Sequence, residues 1–268
     1  MFRLLKIEYN KISRYWIFWG MAIILTVGLT TLYWGIEPFI NENVKGPSNA
    51  PIPIPQFSLY EFPNIWHNLT YLAGMRFFLL FPALLITLLV TNEVTYRTLR
   101  QNVIDGLSRR EIVTAKIILV FIISLALVIL LFLNGLLLGL IHSKDSSWFL
   151  FFDKINYLAA YFLEVFSFGM LALLIGILVK KALFAIGILL GYSVILEPIA
   201  HHYSPEWLQR IYPLASIGRL IDIPNSGLMR MFGVNFRTYI DILDVVIVSA
   251  WAVIFALLSY YIIKKRDL

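Results

Sequence analysis

Residues 91–116 read TNEVTYRTLRQNVIDGLSRREIVTAK, a polar and basic insert between two long apolar runs. No Gly or Pro occurs from Thr91 to Val103, so the preceding helix is expected to continue into water. Asp105-Gly106 supplies the break, because Gly adopts the left-handed conformation that ends helices at little steric cost. Ser108 followed by Glu111 forms a capping box, in which each side chain satisfies an orphan backbone donor of the next helix. The insert therefore predicts a helix–turn–helix elbow, a shape suited to contact with a soluble partner.

The flanking runs set the class. The 268-residue chain is 60% hydrophobic and only 14% charged, with a mean hydropathy of +0.80, which describes a multi-span membrane protein. A spanning helix needs about 20 mostly apolar residues. Tyr15–Gly35, Tyr71–Thr91, Ala115–Ile141, Tyr157–Val179, Leu183–Ala200 and Ile242–Ile263 qualify. The fifth run is short and follows the fourth closely, which suggests tilting or partial re-entry. No alternation of barrel type appears, so the expected fold is all-α: one transmembrane domain over residues 1–268.

Lys and Arg placement sets the expected orientation. With the N-terminus inside, the inner face holds Arg3, Lys6, Lys11, Arg14, Arg97, Arg100, Arg109, Arg110, Lys116, Lys180, Lys181, Lys264, Lys265 and Arg266. The outer loops hold seven basic residues, four of them in one long loop, and Arg76 lies within a span. Both termini are therefore expected to be cytoplasmic. The net charge of +6 follows from this asymmetry and calls for no nucleic acid.

The first apolar run is too long for a typical signal peptide and lacks a small-residue cleavage site. Residues 1–14 instead suggest an interfacial helix at headgroup level, in contact with membrane lipids, or else a short solvated tail. In the outer loop 36–70, the stretch PSNAPIPIP favours polyproline II. The outer segment 201–241 is apolar but broken at Tyr212-Pro213 and Ile223-Pro224-Asn225. It suggests either re-entrant half-helices or a small folded lobe. Absence of Cys excludes disulfides and thiolate metal sites.

Chemistry-bearing motifs are sparse. GxxxxGK[ST] and HExxH are absent, so neither a phosphate-cradling loop nor a zincin helix is present. Glu197 and His201 share an i, i+4 spacing, but Pro198 disturbs the geometry and no third ligand stands out, so no metal site is assigned. Asn68-Leu69-Thr70 matches a glycosylation sequon. Arg76 and Glu164 fall inside predicted spans at depths of roughly 8 and 10 Å from the outer face, with Asn134 at a similar level. Buried charge requires pairing or hydration, so these three are expected to form an intramembrane polar group, as a clamp or a path lining. Gly135–Gly139 and Gly187–Gly191 match GxxxG and predict close helix packing within the subunit, or a dimer contact.

Together, Asn92-Glu93, Thr98-Leu99-Arg100-Gln101 and Gly106-Leu107-Ser108-Arg109 resemble the first cytoplasmic loop of permease subunits of ABC-2 type (type V exporter-like) ATP-binding-cassette transporters. The terminal Lys264-Lys265-Arg266-Asp267-Leu268 is of a type often seen there, and the six-span layout agrees along the whole chain. The resemblance implies a non-enzymatic exporter subunit in a bacterial inner membrane, paired with a second permease copy or homologue. It also implies two cytoplasmic ATPase subunits that carry the ATP and Mg; no cofactor is expected in this chain. The coupling elbow would then comprise Glu93, Arg97, Leu99, Arg100, Val103, Gly106, Leu107, Ser108, Arg109, Arg110 and Glu111. Its arginines would pair with acidic groups on the ATPase, while Leu99, Val103 and Leu107 would fill an apolar cleft. The other readings are an ion-coupled secondary transporter and a non-catalytic membrane scaffold. A membrane-embedded hydrolase would need more than Glu197, His201 and His202.

Overall fold

The computed structural model describes residues 8, 11–13, 15–43, 58–96, 98–104, 106–143, 147–179, 181–225 and 236–265. Among them every regular element is helical, and six helical stretches are long and apolar enough to cross a membrane. The protein is an all-α integral membrane protein of the multi-pass kind.

Helix α1 (Trp16–Asn43) is followed by α2 (Asn64–Gly74) and α3 (Arg76–Thr95). The short α4 (Thr98–Ile104) leads to α5 (Arg109–His142), then α6 (Trp148–Phe152) and α7 (Asn156–Leu178). Next come α8 (Ala182–Leu190), a π-helical turn over Gly191–Leu196, and α9 (Glu197–Tyr203). Finally α10 (Glu206–Gln209) and α11 (Pro213–Gly218) precede α12 (Ile242–Lys265). The interfacial helix expected over residues 1–14 and the PSNAPIPIP stretch lie largely or wholly outside the described residues.

Three expected boundaries move. The segment 36–70 is helical to Asn43 and again from Asn64, so the loop is shorter than the sequence suggested. The second span divides at Met75, whose backbone turns extended (φ −55°, ψ 136°) between α2 and α3. Gly74 permits that break: a Cβ there would collide with the Glu164 carboxylate. The fifth run, expected to tilt or re-enter, is continuous from Ala182 to Tyr203. The π turn within it sits immediately before Pro198, which lacks the N–H that the preceding turn would bond and whose ring needs room there.

Helix α7 is the centre of the bundle. It packs against α2, α3, α5, α8, α11 and α12, and most of its residues are buried. By contrast α1 touches α3 and α5 along one side and leaves Trp16, Ile23, Ile24 and Val27 exposed, as a lipid-facing helix should. Buried hydroxyls are satisfied locally: Thr87, Thr91 and Ser124 each donate to the carbonyl four residues earlier. Glycines allow the tight crossings. Gly135 meets the Trp66 and Leu69 side chains, and a Cβ on Gly139 would fall into the Phe62 ring. The 135–139 motif thus packs within the subunit, whereas Gly187 and Gly191 have nothing within 4 Å.

Candidate functional site

The elbow forms as a rigid, doubly capped corner. Helix α4 ends in a Schellman arrangement: Leu107 N–H donates to the Asn102 carbonyl and Gly106 N–H to that of Val103, both at 3.0 Å. Gly106 has a φ of 87°, the left-handed value that the sequence anticipated. Helix α5 then opens on the expected capping box. Ser108 Oγ accepts from Glu111 N–H at 3.3 Å, and Glu111 Oε2 accepts from Ser108 N–H at 2.8 Å and from its hydroxyl at 2.7 Å. Caps of this kind contribute about 1 kcal/mol each.

The predicted docking residues divide between inside and outside. Leu107 is buried, and Val103 is partly buried against the core. Arg109 is also turned inward: its guanidinium donates to the carbonyls of Ile263, at 3.0 Å, and Lys264 in the last turn of α12. Arg110 stays exposed and donates through Nε to the Tyr260 hydroxyl at 3.2 Å. Arg97 lies outside the described residues, as do the side chains of Leu99 and Arg100. Among the described side chains there, Ile104 and Tyr96 are 69% and 75% exposed. Sequence reasoning missed both, although an apolar residue one place before the Asp105-Gly106 break was the available signal.

Glu93 has a different role from the one expected. Its carboxylate meets the ammonium of Lys116, which is fully enclosed and also bonds both oxygens of Glu8 at 2.7 and 2.8 Å. Lys11 lies 3.6 Å from Glu8 and 3.5 Å from Glu93, which completes a quartet of two cations and two anions. Asn92 donates to the Tyr15 hydroxyl at 2.5 Å beside it. The N-terminal segment, α3 and the start of α5 are thereby fastened at one point. Lys11, Tyr15, Asn92, Glu93, Tyr96 and Thr98 line a cleft of about 260 Å³ there.

At the opposite face a second ionic cluster holds the lobe that follows α9. Arg210 reaches Asp244 (2.9 and 3.0 Å) and Asp241 (2.6 Å), while Arg237 reaches Asp244 at 2.8 Å. Asp241 also accepts Leu243 N–H at 3.0 Å, capping α12. That backbone bond, followed by Arg210, holds its carboxyl below the usual range. Within 201–241, the short helix α11 packs on α7, α9 and α12, and α10 packs on α9.

The intramembrane trio is not assembled, because each member takes a nearer partner. Arg76 donates to the Ser193 carbonyl at 2.9 Å. Asn134 accepts from the Trp34 indole at 3.1 Å and donates to the Leu130 carbonyl. Glu164 lies against Gly74 and accepts from the Ile221 backbone, with Oε2 unpartnered. Glu197 is buried and accepts Ala215 N–H at 2.7 Å in the first turn of α11. Among the described residues no cluster of three metal-ligating side chains exists. Asn68 and Thr70 are buried, bonded to the carbonyls of Leu59 and Trp66, so the sequon is no surface acceptor.

A family model described as protein of unknown function (DUF2705) matches residues 39–268. None of the curated proteins matches the chain.

Proposed function

The chain belongs to that family of unknown function, and we propose that it is the membrane-spanning permease subunit of an ABC-2 type ATP-binding-cassette exporter. In this reading the elbow and both termini face the cytoplasm of a bacterial cell, and the lobe after α9 faces outward. Two separate ATPase subunits bind ATP and Mg and dock on the elbow, while a second permease copy or homologue completes the transport path. No catalysis and no nucleic acid are involved in this chain.

The observation that carries the proposal is the capped corner itself. A Schellman turn and a capping box lie back to back there and fix the turn between α4 and α5. They flank Ile104, whose exposed apolar side chain forms a tip suited to a protein cleft. Movement of that tip has three ways into the bundle: through α3, through α5, and through Arg109 into the end of α12. The last route was not part of the sequence-based expectation.

The test is an affinity pull-down of tagged chain from native membranes in mild detergent, beside an Ile104→Glu variant, with ATP hydrolysis assayed in both eluates. A co-purifying ATPase that disappears with Ile104→Glu supports the permease reading. Normal levels of membrane protein with no ATPase overturn it and favour a secondary carrier or a scaffold.

A further inference from the structure

Arg76 occupies an unusual position for a cation. It opens α3, and its guanidinium bonds the carbonyl of Ser193 inside the π turn. Arg76 is the first residue of the Arg76–Thr95 stretch that is long and apolar enough to cross a membrane, so its guanidinium sits at one end of that stretch. Among the described residues Arg76 forms no ion pair. Glu197, one turn beyond Ser193, is buried, accepts Ala215 N–H through Oε1, leaves Oε2 without a hydrogen-bond partner and forms no ion pair with Arg76. A cation set against an apolar face is disfavoured unless an anion or water meets it.

The surroundings identify what meets it. Met75 and Phe77 beside Arg76 are exposed, as are Val194, Ile195 and Leu196 along the π turn. The half-buried guanidinium therefore sits in an apolar external face with one donor on Ser193 and others left for a ligand. Irregular helical turns recur where helices bind ligands, because they displace the local backbone hydrogen bonds. We propose that Arg76 and the π turn form a binding site for the anionic headgroup of an amphiphile drawn from the bilayer. The cargo class follows: an acidic, lipid-like molecule whose tail runs along Phe77, Val194 and Ile195. Its status as cargo rests on the transporter reading; the binding itself does not.

The chain has no Cys, so Val194→Cys can carry a single fluorophore. The protein is placed in phosphatidylcholine nanodiscs, and quenching by nitroxide-labelled phosphatidylglycerol is compared with that by nitroxide-labelled phosphatidylcholine. One favourable cation predicts about a fivefold excess of the anionic probe. Arg76→Lys keeps the excess, whereas Arg76→Gln, which retains a donor for the Ser193 carbonyl, brings the ratio to about one. A purely structural Arg76 gives a ratio near one in every form and overturns the site, as does an excess that survives Arg76→Gln. Displacement of the lipid probe by aqueous sulfate would make the ligand a soluble anion and overturn the amphiphile. No ATPase is required, so this result and the pull-down can fail separately.

Discussion

The guanidinium of Arg109 donates to the carbonyl oxygen of Ile263 at 3.0 Å, joining the first residue of the third span to the end of the sixth. The Lys264 carbonyl shares the same donor group. A residue expected to face a partner instead closes the C-terminus of α12, where a cation also suits the helix dipole. Arg109→Ala is therefore expected to cost about 1–2 kcal/mol. Hydrogen exchange should quicken in the last turn of α12, with Arg109→Lys intermediate. Exchange confined to the elbow would contradict the tie.

Lys116 gives the largest expected effect. Removing its charge leaves the carboxylates of Glu8 and Glu93 enclosed with only the more distant Lys11. Lys116→Met should destabilise by about 3–5 kcal/mol, measured as thermal unfolding in detergent. Adding Glu8→Gln and Glu93→Gln should recover most of the loss, because the penalty arises from unpaired buried charge.

Leu107 and Ile104 make an internal comparison at the elbow. Leu107→Ala empties part of the core and should cost about 2–3 kcal/mol. Ile104→Ala should leave the unfolding transition within about 0.5 kcal/mol of the parent, since that side chain touches little of its own chain. Equal losses at the two positions would mean that the corner is not oriented as described.

The two glycine motifs should separate in the same assay. Gly139→Ala drives a methyl into the Phe62 ring and is expected to cost about 1–3 kcal/mol. Gly187→Ala meets no neighbour, and should be neutral or stabilising by up to about 1 kcal/mol from helix propensity.

His67 gives the pH dependence. Burial holds its pKa below the usual value, against the opposing pull of its bond to the Asp222 carbonyl at 2.8 Å. The unfolded chain therefore takes up this proton before the folded one does. Stability is full above about pH 6.5 and falls as pH drops below that value toward the depressed folded pKa. Thermal unfolding followed from pH 7.5 to pH 5 should show this decline, and His67→Gln should flatten it.

Helix α5 and the corner before it could be read from the chain because their determinants are local: Gly106 at the break, Ser108 and Glu111 at the cap, and a long apolar run beyond. The fate of the charges could not. Whether Arg109 faces a partner or α12 depends on Ile263, 154 residues away, and Lys116 meets Glu8 across 108 residues. Arg76 and Glu164 were paired by depth alone, yet depth carries no information about azimuth around the bundle. The break at Met75 and the π turn each turned one of them toward a different neighbour. Asp244 and Asp241 drew no notice in the sequence because their arginine partners belong to a loop whose folding no periodicity revealed.

The enclosure of α7 has a consequence for how the chain is made. Of the six elements that wrap it, α8, α11 and α12 leave the ribosome after it does. Glu164 thus enters the membrane before half of its shelter has been synthesised. A chain that stops short of residue 242 lacks α12 and leaves one flank of α7 uncovered. Biogenesis is committed only at the last span, and a truncated product should be recognised by membrane proteases as unfinished.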